Sequence, residues 1–461
     1  MLTYNFERNS GVPLYEQLYG AVKSDILSGI IKSDEKLPSK RELAAHLGIS
    51  KVTVEAAYAA LIDEGYVYSI EKKGYFCEKN LALPGKKSTP VSAASFSADE
   101  FKVDLSSNAV PKSQFPFSIW SRLTREVMLN YSRELLDPIP YKGVYAFREA
   151  LCSYLLSSRG MRVSPENIII GAGSEYLYTQ IIRLLGTDKV YGIENPSYHK
   201  ISEVYSMNNA DIRYFDITDH SETVSEIERS DIDIIHISPS HNFPTGRVMG
   251  AKIRHDLLSL IGERRNGYII EDDFDSELRF EGRPIPPMQT IDNSGRVIYI
   301  NTFSKTISPS MRIGYMILPP DLAAKYSREL SFNSCTVPSF EQYTLAEFIS
   351  RGYYERHINR TKKYYRILRA ELLEEFARSP LSKRSEISES QAGLHFTLLL
   401  DTDMPDAKLK EMLAAEGIKA SFMSDYVNGS DSHGHELLVN YSGLDREKFR
   451  LALDTVCKLL G

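Results

Sequence analysis

Cysteine is scarce in this chain: four residues, Cys77, Cys152, Cys335 and Cys457, lie scattered through 461 positions. So wide a spacing forms no metal-ligand pattern and implies no disulfide framework. No long apolar span is present, so no segment reads as a membrane helix. The N-terminus lacks the basic-then-apolar pattern of a secretory signal, and the expected location is cytoplasmic. No internal repeat is visible, which argues against solenoid and propeller architectures. An excess of one charge is also missing: 55 Lys and Arg face 61 Asp and Glu, a net charge of −6. With a charged fraction of 25%, that describes an ordinary soluble chain of two or three domains with ample core.

What is present is a rhythm. Apolar runs rich in β-branched residues recur at 167–170, 189–193, 212–217, 232–238, 267–271, 296–301 and 312–318. Several are separated by stretches long enough for a helix, such as Ala251 to Glu263. This predicts an α/β fold, a large mostly parallel sheet with helices on both faces. After about residue 345 the pattern changes. A long charged helix over Glu347 to Ala377 is expected, then strands near 394–400, 418–423 and 436–441, and a closing helix over Arg446 to Leu459. That suits a small C-terminal α+β subdomain.

Chemistry concentrates at the ends of these runs. Asn301-Thr302-Phe303-Ser304-Lys305 is followed by Arg312, seven residues past the lysine. Hydroxyls and an arginine can hold a phosphate while the amine reaches a carbonyl carbon. Taken alone, Ser304-Lys305 reads as a solvated loop. Gly171-Ala172-Gly173-Ser174-Glu175 follows the run Ile168 to Ile170. A strand, a Gly-rich turn and a helix start make a phosphate cradle, although small residues also serve ordinary turns. Glu194-Asn195-Pro196-Ser197-Tyr198 and His241-Asn242-Phe243-Pro244-Thr245-Gly246 close two further runs. Glu271-Asp272-Asp273-Phe274-Asp275 closes another, with four acids in five residues. No histidine stands at ligand spacing to it, so a metal site is disfavoured against a solvated strand end or a cofactor partner.

In this order the segments resemble fold-type I aminotransferases, which bind pyridoxal 5′-phosphate (PLP). The resemblance implies that Lys305 forms the Schiff base. It implies Asp272 at the pyridine nitrogen, where a carboxylate favours the electron-withdrawing pyridinium. Tyr198 is implied to stack on the ring, with Ser174, Glu175, Thr302, Ser304 and Arg312 around the phosphate end. Two departures stand out. Phe274 stands where a tyrosine would bond the cofactor's phenolic oxygen. Leu438, in Leu437-Leu438-Val439-Asn440-Tyr441, stands where an arginine would clamp a substrate carboxylate.

The first 80 residues read differently. Pro13 to Gly29 has Leu14, Leu18, Val22 and Ile26 on one helical face. Leu37-Pro38-Ser39-Lys40-Arg41-Glu42-Leu43-Ala44 carries capping-box spacing from Ser39 to Glu42. Gly48-Ile49-Ser50 is a turn, Lys51 to Glu64 a helix, and Gly65 to Phe76 a two-stranded wing. This resembles the winged helix-turn-helix of the GntR regulators. The implied DNA contacts are Ser39, Lys40, Arg41, Ser50, Lys51, Thr53, Lys73 and Gly74. Residues 1–80 hold ten Lys and Arg against eleven Asp and Glu, so steering by net charge is absent. The expectation rests on Lys40, Arg41, Lys51, Lys72 and Lys73 gathering on one side.

A winged helix, a linker and a fold-type I unit together resemble the MocR subfamily of GntR regulators. The implied domains are a DNA-binding domain at 1–78, a flexible linker at 79–102 and an effector domain at 103–461, its small subdomain at about 345–461. The implied function is a PLP-dependent transcriptional regulator that senses an amine, an amino acid or PLP itself; the alternative is a working aminotransferase with a DNA-binding module. Implied partners are double-stranded promoter DNA, a small-molecule effector and a second copy in a head-to-tail homodimer. There Tyr141, in Tyr141-Lys142-Gly143, would reach the neighbouring subunit's phosphate.

Overall fold

The computed structural model describes residues 2–4, 6, 11–79, 101–217, 220–280, 285–388, 393–429 and 434–460. Backbone contacts divide the chain into two compact units, Met1–Ala98 and Asp99–Gly461. The expected linker falls, for residues 80–100, outside the described residues. Among the described residues no helix is long and apolar enough to cross a membrane.

In the first unit, helix Leu14–Leu27 buries Leu18, Val22 and Ile26, while Leu14 stays half-exposed at its start. Helix Lys40–Leu47 opens with the expected capping box. The Glu42 amide donates to Ser39 Oγ at 3.3 Å, and the Ser39 amide donates to Glu42 Oε2 at 2.9 Å. Gly48, at φ 65°, ends it in the left-handed region that glycine adopts without strain. Ser50 caps helix Lys51–Asp63 by accepting from the Thr53 amide at 3.1 Å. The two expected wing strands pair antiparallel, and a third strand from before the motif joins their sheet. Lys36–Leu37 pairs antiparallel with Gly74–Cys77, which pairs with Val67–Ile70. A two-residue strand is too short to show an alternation, which is why periodicity misses it.

The second unit is built on seven strands in the order Ile168–Gly171, Gly314–Ile317, Val297–Thr302, Tyr268–Asp272, Ile234–Ile237, Val190–Asn195, Asp211–Asp216. All seven apolar runs became its strands. Only Gly314–Ile317 runs antiparallel to both neighbours. Core on both faces explains the near-continuous apolar runs: Ile168 and Ile170 pack in one cluster, Ile169 in another. The parallel strands end together, and their C-terminal ends carry Asn195, Ser238, Asp272 and Thr302.

The small sheet orders Ser385–Ser388, His395–Leu400, Glu436–Asn440 and Ser421–Phe422. Val103–Asp104 pairs with Ile418–Lys419, so the start of this unit joins the core of its end. The expected single helix over 347–377 is two helices, Ser339–Ser350 and Tyr353–Arg378. Gly352, at φ 68°, breaks it, a conformation that costs glycine little.

Candidate functional site

Beyond the C-terminal ends of the parallel strands lies a cavity of about 480 Å³. Ser174, Glu175, Tyr198, Asp272, Thr302, Ser304, Lys305 and Arg312 all line it. Every residue expected to serve the cofactor from its own chain is thus brought to one place. Tyr141 is not among the lining residues; its ring stacks on Tyr326 at 6.3 Å.

Lys305 sits in the turn between strand Val297–Thr302 and a short 3-10 turn, Pro309–Met311. The turn is pinned from behind by helix Tyr353–Arg378. Tyr354 donates to Thr306 Oγ1 at 3.1 Å, and His357 Nε2 lies 2.7 Å from the Thr306 carbonyl. Burial, offset in part by the Asp275 charge, holds the Lys305 amine below the usual lysine range. That favours the neutral, nucleophilic form. The amine donates to Asn108 Oδ1, which also accepts from Asn440 Nδ2 at 2.7 Å.

The four acids after Tyr268 divide into separate tasks, and all are buried. Glu271 accepts the Met288 and Gln289 amides at 2.8 and 3.0 Å; burial, then the Asp273 charge, pushes its carboxyl up to about 7. Asp273 pairs with Arg159 and accepts from Tyr299 at 2.7 Å and Ser276 at 2.8 Å. Asp275 lies 2.8 Å from His241 Nδ1. Asp272 alone faces the cavity. Its Oδ2 accepts from Tyr178 and lies 3.5 Å from His236 Nε2, while its Oδ1 is buried with no partner. A buried carboxylate oxygen left unsatisfied is costly and marks a place for a donor. A protonated ring nitrogen supplies one, so the donor set fits the expected cofactor.

The opposite end opens to solvent. Helix Ser174–Leu185 starts here, and Gly173, at φ 85°, is pressed by Arg312. An added Cβ on Gly173 would meet Arg312 Nη2 at 3.0 Å. Arg312 itself holds φ 49°, a strained conformation for a residue with a side chain. Its guanidinium is not free. Nη2 lies 3.2 Å from Glu175 Oε2, and Glu175 Oε1 lies 2.9 Å from Lys200 Nζ.

Several lining residues escaped sequence reasoning. Tyr178 stands one helical turn beyond Ser174, a spacing that could have pointed to it. Glu194 looked like a strand end, yet it accepts the Ser238 amide at 3.0 Å and Asn242 Nδ2 at 2.9 Å. Burial pushes its carboxyl up to about 7. His395, Tyr426, Asn440 and Asn108 come from distant parts of the chain, and no local pattern announces them. Phe274 and Leu438 both line the cavity.

In the first unit, Ser39, Lys73 and Gly74 line one recess beside the wing, together with Lys36 and Lys72. Ser50, Lys51 and Thr53 open the second helix of the motif, where Lys51 is exposed and Thr53 half-exposed. Arg41 is exposed as well. Lys40 pairs with Glu55 at 2.6 Å, over the Tyr75 ring. Glu55 lies on the facing helix, so a local pattern gives no sign of the pairing.

Two family models match. Residues 14–77 match bacterial regulatory proteins of the gntR family, and residues 100–426 match aminotransferase class I and II. The chain is 35% identical over 423 residues to the HTH-type transcriptional regulator YdeL of Bacillus subtilis (strain 168), covering 91% of this chain and 90% of that one. It is 30% identical to the probable rhizopine catabolism regulatory protein MocR of Rhizobium meliloti, covering 98% and 94%. It is 27% identical to the pyridoxine biosynthesis regulator PdxR of Corynebacterium glutamicum, covering 95% and 94%. Among solved structures, kynurenine aminotransferase of Pyrococcus horikoshii shares the fold at a TM-score of 0.68 and 24% identity, over 78% of this chain and 92% of that one.

Proposed function

We propose a function that proceeds from one premise: the chain belongs to the MocR subfamily of GntR-type transcriptional regulators. It binds promoter DNA through residues 1–78 and holds PLP as a sensing cofactor in residues 103–461, the two joined by a linker at 79–102. The small subdomain spans about 345–461. The observation that carries the cofactor reading is the unpartnered Oδ1 of Asp272, buried in the same cavity as the Lys305 amine.

When bound, PLP supplies an aldehyde open to amines and a pyridinium that draws electrons from it. This chain's residues do the rest. Lys305 presents an amine that burial keeps ready to react. Asp272, fixed by Tyr178, holds negative charge where the ring nitrogen would lie. Ser174, Thr302, Ser304 and Arg312 would hold the phosphate, and Tyr198 would cover the ring. In the homodimer, arranged head to tail, Tyr141 serves the partner's phosphate.

Sensing without sustained turnover suits this cavity better than transamination. Leu438 lines it where a carboxylate clamp is expected, and a leucine cannot orient an amino acid. That favours PLP itself, or a small amine, as the signal over an α-amino acid. MocR and PdxR bear names tied to rhizopine catabolism and pyridoxine biosynthesis.

Borohydride reduction and peptide mapping of PLP-supplemented protein test the cofactor site. The pyridoxyl group is expected on Lys305; its appearance on another lysine refutes the assignment. A screen of amines and amino acids against the bound cofactor's absorbance separates the two functions. A spectral shift without keto-acid release supports the regulator, and sustained release supports the enzyme.

A further inference from the structure

The phosphate end of the cavity contains a charge arrangement that a simple phosphate cradle does not need. Glu175 stands in the first turn of helix Ser174–Leu185, where the helix end favours any anion, a carboxylate included. One carboxylate engages both cations of that end, Arg312 at 3.2 Å and Lys200 at 2.9 Å. Arg312 also donates to the Ala172 carbonyl, at 3.4 Å. Arg312, Lys200 and Tyr198 are all exposed on the single chain, the side from which the partner's Tyr141 is proposed to approach. Lys200 contacts ionise Glu175 readily, with Arg312 adding to the effect, and hold its carboxyl below the usual range.

A phosphate dianion arriving here finds its arginine already taken. Bringing it beside Glu175 adds like-charge repulsion, unless the carboxylate is drawn away. Lys200 is placed to do that, because it grips the other oxygen of the same carboxylate. We propose that Glu175 is a built-in competitor for the cofactor phosphate, and that Lys200 is the residue that draws it off Arg312 when phosphate binds. The inference rests on the PLP reading and deepens it. Competition at this end weakens the hold on the phosphate, so the chain gives PLP up more readily than the same cradle without the Glu175 charge.

The test uses the full-length chain freed of cofactor, with PLP and pyridoxal as probes. Equilibrium dialysis gives the dissociation constant of each. Pyridoxal lacks the phosphate and reports on the rest of the site. Glu175→Gln keeps the shape and removes the charge. It is expected to tighten PLP on the order of tenfold, the size of one screened charge contact, and to leave pyridoxal unchanged. Lys200→Met is expected to weaken PLP alone, and this loss should vanish when Glu175→Gln is added. Inorganic phosphate should compete with PLP more strongly in Glu175→Gln than in the unaltered chain. PLP binding that is unchanged or weakened by Glu175→Gln overturns the proposal, as does a shift shared equally by pyridoxal. An additive loss from Lys200→Met in the double variant overturns the role of Lys200. A chain that binds no PLP at any concentration overturns the cofactor reading itself, an outcome distinct from the others.

Discussion

Asp272→Asn separates a cofactor partner from a structural carboxylate. In the protein without cofactor, Asp272 is buried, accepts one hydrogen bond from Tyr178 and leaves Oδ1 without a donor. A buried charge so poorly partnered contributes little to stability. Asparagine keeps an acceptor for Tyr178 and removes the charge. Stability without PLP should therefore stay level or rise by about 1 kcal/mol in urea unfolding. With PLP the balance reverses. The lost contact is a charge-assisted hydrogen bond to the ring nitrogen, about 1.5–3 kcal/mol. That corresponds to roughly 10- to 150-fold weaker PLP binding, since about 1.4 kcal/mol is tenfold. Two assays decide it: a urea titration without cofactor and a PLP titration followed by absorbance. Loss of more than about 2 kcal/mol without PLP, together with unchanged PLP affinity, would refute the reasoning. Asp272 would then serve Tyr178 and nothing else.

Other consequences follow from particular contacts. Arg159→Met should cost about 3–5 kcal/mol of stability in urea unfolding, because it strands buried Asp273 without its cation; Arg159→Met with Asp273→Asn should recover part of that loss. Burial first, then His241 and Lys305, pushes the His395 imidazole down to about 3, so the unfolded chain takes up a proton below pH 6.5 that the folded site refuses. This group therefore removes stability as pH falls from 6.5 toward 3, and His395→Gln should erase about 1 kcal/mol of the change between pH 7.5 and 5.5. Arg41→Ala should weaken specific DNA binding by about 1–3 kcal/mol if it reads a base, or weaken all sequences alike if it holds phosphate. A chain lacking residues 1–80 should lose promoter binding, and retained full affinity would contradict the winged-helix reading.

Legibility in the sequence followed the range of each interaction. The inner strands of the large sheet are visible as apolar runs because they are buried on both faces, whereas the edge strand Asp211–Asp216 buries only Phe215 and shows through its Ile212, Tyr214 and Phe215. The capping box at Ser39 is visible because it spans three residues. Lys305, Asp272 and Arg312, the residues proposed to hold the cofactor, are visible because each lies beside such a run, Asp272 and Lys305 after one and Arg312 at the start of one. The Gly352 break was hidden inside a helical pattern that continues on both sides. The third wing strand, Lys36–Leu37, was too short to alternate. Asn108, His395 and Asn440 reach the cavity only through tertiary folding, from segments hundreds of residues apart, and no spacing rule could collect them. Engagement of Arg312 by Glu175 and of Lys40 by Glu55 depends on side-chain geometry between elements, which composition does not carry.

The central claim is that occupancy of the Lys305 cavity changes DNA binding. The direct measurement is a fluorescence-anisotropy titration of the DNA upstream of the chain's own gene, with full-length protein, with and without PLP. Coupling of two sites in one protein is commonly about 1–3 kcal/mol, so the affinity should differ by about 5- to 150-fold between the two conditions. Lys305→Ala should keep the PLP-free affinity and lose the part of the response that needs a bond to the cofactor. Identical DNA affinity with and without saturating PLP, in a chain shown to bind it, would contradict the account.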